Sequence, residues 1–212
     1  MKERRLLFRT VLLVLGSFVM GGGIGLAIAS GFGSDPLAVL WDGMSHTFGI
    51  SITAANVIMA AVLVVVSLLI DRRQLNLGTL VYEIMLTLGC EVTLHVTVPA
   101  ATWFRLLAAV LGITLMGAGA GVYAAASLGK GPYEAAVFGI STRFGIRIAW
   151  VRMGFDLLFL ISGFLLGGTV GVGTVLAFLG VGILIEKTAG LTIHCFHLES
   201  FQPGKNEEIK QS

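Results

Sequence analysis

The amino-acid sequence predicts an all-α, polytopic membrane protein. We expect six transmembrane helices in two inverted-topology repeats of three helices, and each repeat should carry one short helix broken off by glycine and proline. Composition is the first observation: the 212 residues are 56% hydrophobic and only 12% charged, whereas an ordinary soluble domain is about 25% charged. The second is a set of six apolar runs, each near the roughly 20 residues that cross a bilayer. The third is an internal repeat.

Charged residues, prolines and glycine clusters bound the six apolar runs. We therefore predict spanning helices over residues 6–30, 51–70, 77–98, 103–127, 148–166 and 172–188. The basic start and small-residue exit of the first run are typical of a signal peptide. However, its apolar stretch is too long, and a similar segment recurs in mid-chain, so we interpret it as a permanent helix. A cytoplasmic tail is predicted over residues 191–212.

Two shorter segments, residues 36–48 and 132–144, each open with a proline behind a glycine-rich turn. Proline suits the first helical position because its φ is preset and its missing N–H would have no partner there. At about 1.5 Å per residue such a segment spans only about 20 Å. It is therefore too short to cross, and we predict re-entrant or interfacial half-helices.

The internal repeat appears when the chain is shifted against itself by 96 positions. Of the 38 residues from 15 to 52, 15 are identical to their partners, and Pro36 falls on Pro132. After one deleted position the match continues through the third apolar run. We therefore divide the membrane domain into repeat 1, residues 1–98, and repeat 2, residues 99–190.

Three crossings per repeat is an odd number, so the second repeat should enter the membrane from the opposite side. The positive-inside rule tests this independently. With the amino terminus in the cytoplasm, 13 of the 14 Lys and Arg residues lie on the cytoplasmic side and only Arg105 lies outside. Both termini are therefore predicted to be cytoplasmic. Inverted repeats with broken helices are typical of secondary transporters, which bind substrate at the repeat interface.

The starts of the short helices are the first candidate binding elements. Their free N–H groups carry partial positive charge and need partners within a membrane. Asp35 and Pro36 in the first copy, and Gly131 and Pro132 in the second, could therefore surround an anion or a substrate carboxylate. The alternative is self-capping, with Asp35 as the N-cap of the first short helix and Glu134 in the first turn of the second.

Ionisable residues within the third spanning run form the second group. Glu83 is the strongest single candidate because it has no local cationic partner, and such residues in lipid usually face the interior or a water-filled path. Glu91 and His95 are four residues apart and could relay protons, with a plain polar contact as the alternative. No other intramembrane histidine completes a ligand set, so we predict no metal site.

Asn56, Arg152 and Asp156 complete the candidate substrate- or ion-binding residues. Arg152 and Asp156 can pair on one helix face, which is a structural alternative to a role in a pore. We find no nucleophile elbow, phosphate-binding loop or dinucleotide fingerprint, and therefore expect neither an enzyme nor a cofactor. The basic residues lie between apolar runs, where they act as topology signals, so nucleic acid is not an expected partner.

Glycines recur in both repeats as Gly-x-x-x-Gly, at Gly21 and Gly25 and again at Gly117 and Gly121. This spacing lets helices approach closely in lipid. We predict that these residues pack the first spanning helix against the fourth within one chain. A homodimer interface is the alternative.

The sequence resembles one known family at its glycine-proline elements. They are Gly-Phe-Gly-Ser-Asp-Pro at 31–36, Phe-Gly-Ile-Ser at 48–51 and Leu-Gly-Lys-Gly-Pro-Tyr at 128–133. Over about residues 6–190 the chain resembles the bacterial membrane protein family YczE/YyaS/YitT. This resemblance implies a multi-helix protein of the bacterial inner membrane and supplies no substrate or catalytic residue.

These features together predict a small secondary transporter or permease for a polar or charged small molecule or ion. Coupling to protons is one option, and the two repeats would provide alternating access. The alternative is an accessory or scaffold membrane protein that assists a partner complex and transports nothing. In that case Glu83 and Glu91 would be held in structural hydrogen bonds with no aqueous cavity.

Overall fold

The regular structure of the chain is helical wherever the structure describes it. The computed structural model describes residues 2–196. In chain order the helices are α1 (Lys2–Ala29), α2 (Pro36–Phe48), α3 (Ile52–Asp71), α4 (Leu77–Leu94), α5 (Thr102–Ala126), α6 (Pro132–Phe144), α7 (Ile148–Leu165) and α8 (Val172–Phe196). Both short helices have the predicted bounds. The long helices begin and end within four residues of prediction, except at the end of α8.

Six of the described helices are long and apolar enough to cross a membrane, namely α1, α3, α4, α5, α7 and α8. Their outer faces carry many exposed apolar side chains, among them Leu69 and Leu77, as a lipid-facing surface requires. The all-helical, six-span fold class is therefore confirmed. The short helices α2 and α6 have 13 residues each and lie between the long ones.

The last helix is longer than predicted. It continues to Phe196, so the start of the tail predicted at residue 191 is helical instead. The sequence beyond Thr188 remains compatible with a helix, and the hydroxyl of Thr192 bonds to the carbonyl of Thr188 at 2.8 Å. The ring of Phe196 also packs on that of Phe8, with centroids 4.8 Å apart. The remainder of the predicted tail lies outside the described residues.

Helix packing has the same pattern in the two repeats. Helix α1 packs against α4 and α5, and α5 packs against α8 and α1. Helix α2 packs against α3 and α7, and α6 packs against α7 and α3. Exchanging each helix of repeat 1 for its counterpart in repeat 2 therefore reproduces these contacts, whereas the contact of α3 with α4 has no counterpart of similar extent. Two repeats related by a two-fold axis would pack in this way, and their inverted orientation across the membrane stays a prediction.

Glycines allow α1 and α5 to cross at backbone contact distance. A Cβ added to Gly23 would lie 2.5 Å from the carbonyl oxygen of Gly112, and one added to Gly119 would lie 2.6 Å from that of Gly16. Gly16 and Gly112 occupy equivalent positions of the two repeats, as do Gly23 and Gly119. The crossing of α1 with α5 is therefore formed by the same two glycines in each repeat.

The Gly-x-x-x-Gly pairs contact other helices, so the prediction that they join the first spanning helix to the fourth is wrong. A Cβ on Gly25 would lie 2.5 Å from the carbonyl oxygen of Cys90 in α4, and Gly21 also meets α4. Gly117 and Gly121 meet α8. The spacing indicates a close helix contact, but it does not identify the partner helix. These glycines pack against helices of the same chain, as the prediction of contacts within one chain expects.

The carboxyl ends of the short helices have one geometry. Gly49 and Gly145 end α2 and α6 with a φ of +66°, a left-handed conformation that glycine adopts without steric cost. Four residues earlier in each copy, Ser45 and Ser141 donate to the carbonyl of the residue after the glycine at 2.7 Å. This turn directs the chain from each short helix into the next spanning helix.

The far end of α2 is tied to repeat 2. The carboxylate of Asp42 accepts a hydrogen bond from the backbone N–H of Thr169 at 2.7 Å. The hydroxyl of Thr47 donates to the carbonyl of Leu166, also at 2.7 Å. Because both acceptor and donor belong to the connection between α7 and α8, repeat 1 contacts repeat 2 through its short helix.

Candidate functional site

A cavity of about 520 Å³ lies between the repeats, and it is lined by residues from all eight helices or the turns that precede them. Its volume is within the roughly 300–1,000 Å³ typical of small-molecule sites. Pro36 and Pro132, the first residues of the two short helices, both line it. The repeat interface therefore contains a space in the place where the sequence predicts a binding site.

Most of the predicted binding residues meet at this cavity. Those that line it are Asp35, Pro36, Asn56, Glu83, Pro132, Arg152 and Asp156. Gly131 lies immediately behind the wall, where an added Cβ would be 2.5 Å from Oε2 of Glu134 and 2.6 Å from the ring of Tyr82. Glycine at 131 therefore makes room for the carboxylate that follows Pro132.

Glu83 and Asn56 form a polar link between α4 and α3. The amide of Asn56 donates to Oε1 of Glu83 and to the hydroxyl of Thr87, both at 2.9 Å. Asn56 is buried, and both Asn56 and Glu83 lie in the first half of their helices. The contact fixes one carboxylate oxygen of Glu83 at the cavity wall.

Repeat 2 places a different polar group at the equivalent position. Arg152 is the repeat partner of Asn56, and its Nε lies 3.9 Å from Oδ2 of Asp156 on the same helix. The hydroxyl of Tyr133 donates to the other oxygen of Asp156 at 2.6 Å, and the Arg152 guanidinium stands 5.4 Å from the centre of the Tyr133 ring. The predicted pair is therefore present, and it belongs to the cavity wall.

Both short helices begin beside a carboxylate. Asp35 is the N-cap residue of α2, but its side chain forms no capping hydrogen bond of full geometry. One of its oxygens accepts from the hydroxyl of Ser34 at 3.3 Å. In α6 the carboxylate comes instead from Glu134, in the first turn. An anionic ligand at these helix starts would therefore meet negative charge, which argues against the predicted anion site.

Glu91 and His95 lie outside the cavity. The pair does form, with His95 Nε2 3.9 Å from Glu91 Oε1, and Nδ1 of the same ring lies 2.8 Å from the Glu91 carbonyl. The His95 side chain is 75% exposed at the carboxyl end of α4. The structure therefore does not bring these two residues together with the other candidates.

Aromatic residues are the part of the wall that sequence reasoning missed. Tyr82 and Tyr123 pack together at the cavity with ring centroids 4.6 Å apart and ring planes tilted by 52°, and Trp41 and Tyr133 also line it. One sequence signal could have found some of them: Trp41 and Tyr123 stand where the other repeat has valine and alanine. At these two positions a departure from the repeat coincides with the cavity wall.

Metal-binding geometry is lacking in the described part of the chain. No group of three or more His, Cys, Asp or Glu side chains within residues 5–196 is arranged to hold an ion. Three or more of the described carboxylates at the cavity are therefore not close enough together to be direct ligands of one ion.

Comparison with known proteins places the chain in a family. Residues 7–189 match a family described as "Family of unknown function (DUF6198)". The chain belongs to this family. Among relatives of this DUF6198 chain is an uncharacterized protein of Haemophilus influenzae, 32% identical over 181 residues that cover 84% of this chain and 83% of the relative.

Two Bacillus subtilis proteins are also similar to this DUF6198 chain. One is "Uncharacterized membrane protein YczE", 26% identical over 87% of this chain and 86% of its own. The other is "Uncharacterized protein YyaS", 24% identical over 81% of this chain and 88% of its own. No solved structure matches the chain. The resemblance carried by the glycine-proline elements is confirmed, and the chain is a membrane protein of a bacterial family.

Proposed function

We propose that this protein is a small secondary transporter or permease for a polar or charged small molecule or ion. It would lie in the bacterial cytoplasmic membrane with both termini in the cytoplasm. The observation that carries the proposal is the cavity between the repeats, which both short-helix starts and Glu83 line. Transporters built from repeats with broken helices bind their substrates at such a position.

The packing suggests how access would alternate. The close crossing of α1 with α5 joins the repeats through backbone contacts. Away from this crossing, the short helix of each repeat packs on the second spanning helix of the other, α2 on α7 and α6 on α3. Rocking about the α1–α5 crossing would open one of these contacts while closing the other, and would expose the cavity to each side in turn.

The accessory-protein alternative makes a different prediction about the interior. It requires Glu83 to be held in structural hydrogen bonds with no cavity beside it. The hydrogen bond from Asn56 fits that expectation, but the cavity that Glu83 lines does not. We therefore favour transport, with proton coupling as an open option for the source of energy.

Filling the cavity should abolish transport without unfolding the protein. Val181 of α8 lines the cavity, and its neighbours Gly180 and Gly182 have open space around them. We expect Val181→Trp to fill the cavity and stop solute entry. Proteoliposomes of the wild type and the variant would be incubated with a mixture of amino acids, amines, nucleosides, sugars and organic acids, and their contents measured by mass spectrometry.

The matched control is Leu179→Trp, because Leu179 is 64% exposed on the same helix. At least one solute should accumulate in vesicles with the wild type and with Leu179→Trp, and not with folded Val181→Trp. If no solute separates wild-type vesicles from empty ones, or if Val181→Trp transports like the wild type, the transport proposal is wrong.

A further inference from the structure

The cavity wall carries more negative than positive groups. Its ionisable carboxylates are Asp35, Glu83, Glu134 and Asp156, and its cations are Lys130 and Arg152. Because all of these line one space in a low-dielectric interior, their balance determines the charge of the ligand that binds there. Four acids facing two bases favour a cation.

Both basic residues are already engaged by other groups of the wall or its rim. Arg152 stands beside Asp156 and over the ring of Tyr133. The ammonium of Lys130 donates to the side-chain carbonyl of Gln74 at 2.6 Å and lies 3.8 Å from the centre of the Phe138 ring. Arg152 and Lys130 can offset two of the four carboxylates, and the wall keeps an excess of negative groups.

Asp35, Glu83 and Glu134 take part in none of the ion pairs found among the described residues. An ionised carboxylate removed from water is costly unless a positive charge or hydrogen-bond donors replace the lost solvation. Glu83 has its donors from Asn56 and Thr87. In the described residues Oε2 of Glu134 is buried and has no hydrogen-bond partner. A positive ligand would supply the opposite charge that these three carboxylates lack among the described ion pairs.

The aromatic part of the wall also suits a cation. Tyr82, Tyr123 and Tyr133 line the same cavity as the three carboxylates, and a ring face attracts an ammonium within about 6 Å of its centre. Trp41 is 3% exposed, and its indole N–H has no acceptor among the described residues. An oxygen atom on the ligand would satisfy that donor.

The size and shape of the cavity distinguish an organic cation from a metal ion. No described cluster of His, Cys, Asp and Glu converges as a metal site, whereas about 520 Å³ of space is available. Leu63, Met116 and Val181 contribute an apolar surface to the wall. Such a wall stabilises the carbon skeleton of a ligand by hydrophobic contact.

We propose that the ligand of this cavity is a small organic ammonium ion that carries an oxygen acceptor. Asp35, Glu83 and Glu134 would surround its charge, the tyrosine rings would face its carbon atoms, and Trp41 would donate to its oxygen. This inference rests on the proposed function, since it names the substrate class of the same cavity.

Pairs of probes with equal shape and unequal charge test the proposal. Choline would be compared with 3,3-dimethylbutan-1-ol, in which carbon replaces the charged nitrogen, and 3-aminopropan-1-ol with butan-1-ol, in which a methyl group replaces the ammonium. Binding to the full chain in lipid nanodiscs would be measured by calorimetry and by thermal stabilisation. We expect at least one cation to bind at least tenfold more tightly than its neutral partner. If neither does, the proposal is overturned.

Variants locate the binding. Glu83→Gln keeps an oxygen for the Asn56 hydrogen bond and should weaken binding of the preferred cation at least tenfold. Glu91→Gln removes a carboxylate of the same helix that lies outside the cavity, and should leave the affinity unchanged. Equal affinity for the wild type and folded Glu83→Gln would contradict the proposed location, as would equal losses in both variants.

The binding measurement is separate from any transport measurement. A cation that binds selectively but is not carried across vesicle membranes would support the ligand class and contradict transport. Accumulation of solutes without selective binding of either cation would support transport and overturn the ligand class.

Discussion

Replacing Gly23 with alanine is expected to destabilise the protein by about 2–3 kcal/mol, as overpacked cores typically are. The added methyl would collide with the backbone N–H of Met116 and lie 2.5 Å from the carbonyl oxygen of Gly112. Because both atoms belong to the α5 backbone, no side-chain rotation can relieve the collision, and α1 and α5 must separate. The intrinsic preference of helices for alanine, up to about 1 kcal/mol, offsets only part of this cost.

The neighbouring glycine provides the control. A Cβ on Gly22 would meet Thr93 Cγ2 at 3.5 Å and the Gly89 carbonyl at 3.7 Å, which are ordinary contact distances. Gly22→Ala should therefore be neutral or slightly stabilising. Thermal unfolding in detergent, with the monodisperse fraction as a second readout, compares the two variants. Equal stability of Gly23→Ala and Gly22→Ala would show that the α1–α5 crossing is looser than described.

Glu83→Gln is expected to reduce uptake at least about 100-fold for whichever solute the wild type accumulates in proteoliposomes. Glu83 would pair with the positive charge of the proposed organic cation. Loss of one partner from a buried charge pair costs about 3–5 kcal/mol, and about 1.4 kcal/mol corresponds to a tenfold change in binding. The substitution keeps the shape of the side chain and an acceptor for the amide of Asn56. The loss should therefore reflect the missing charge, and the thermal stability should change little.

Glu91→Gln is the matched control for this prediction. Glu91 stands two turns further along α4 and pairs with the exposed His95, away from the cavity. It should retain uptake within about twofold of the wild type. Unchanged uptake by Glu83→Gln would contradict the transport mechanism, and a large loss in Glu91→Gln would contradict the placement of the substrate path.

The fold was largely predictable from the sequence because its main signals are lengths and periods. Apolar runs of about 20 residues define the spans, and the prolines at 36 and 132 set the starts of the short helices, whose bounds are as predicted. The end of α8 was not predictable in this way. Its last turns are only weakly apolar, and they remain helical partly through a contact with Phe8, which is distant in sequence.

The candidate site was predictable in its charged members and less so in its aromatic ones. An ionisable residue within a span, such as Glu83, is unusual enough to indicate a role. Tyr82 and Trp41 look like ordinary core residues until the cavity beside them is known. Likewise, the sequence places Glu91 and Glu83 on one helix, but the side on which α3 packs determines that only Glu83 meets Asn56.

Alternating access to the cavity is tested most directly by cysteine labelling from each side of the membrane. Ala60 lines the cavity, so Ala60→Cys would be labelled with an impermeant maleimide in right-side-out and inside-out vesicles. The exposed Cys195 would be replaced by serine, and Cys90 is buried. Ala55→Cys, at a fully buried position of the same helix, is the control and should not react. We predict labelling of Ala60→Cys from both sides, whereas labelling from one side only, or from neither, would contradict transport through this cavity.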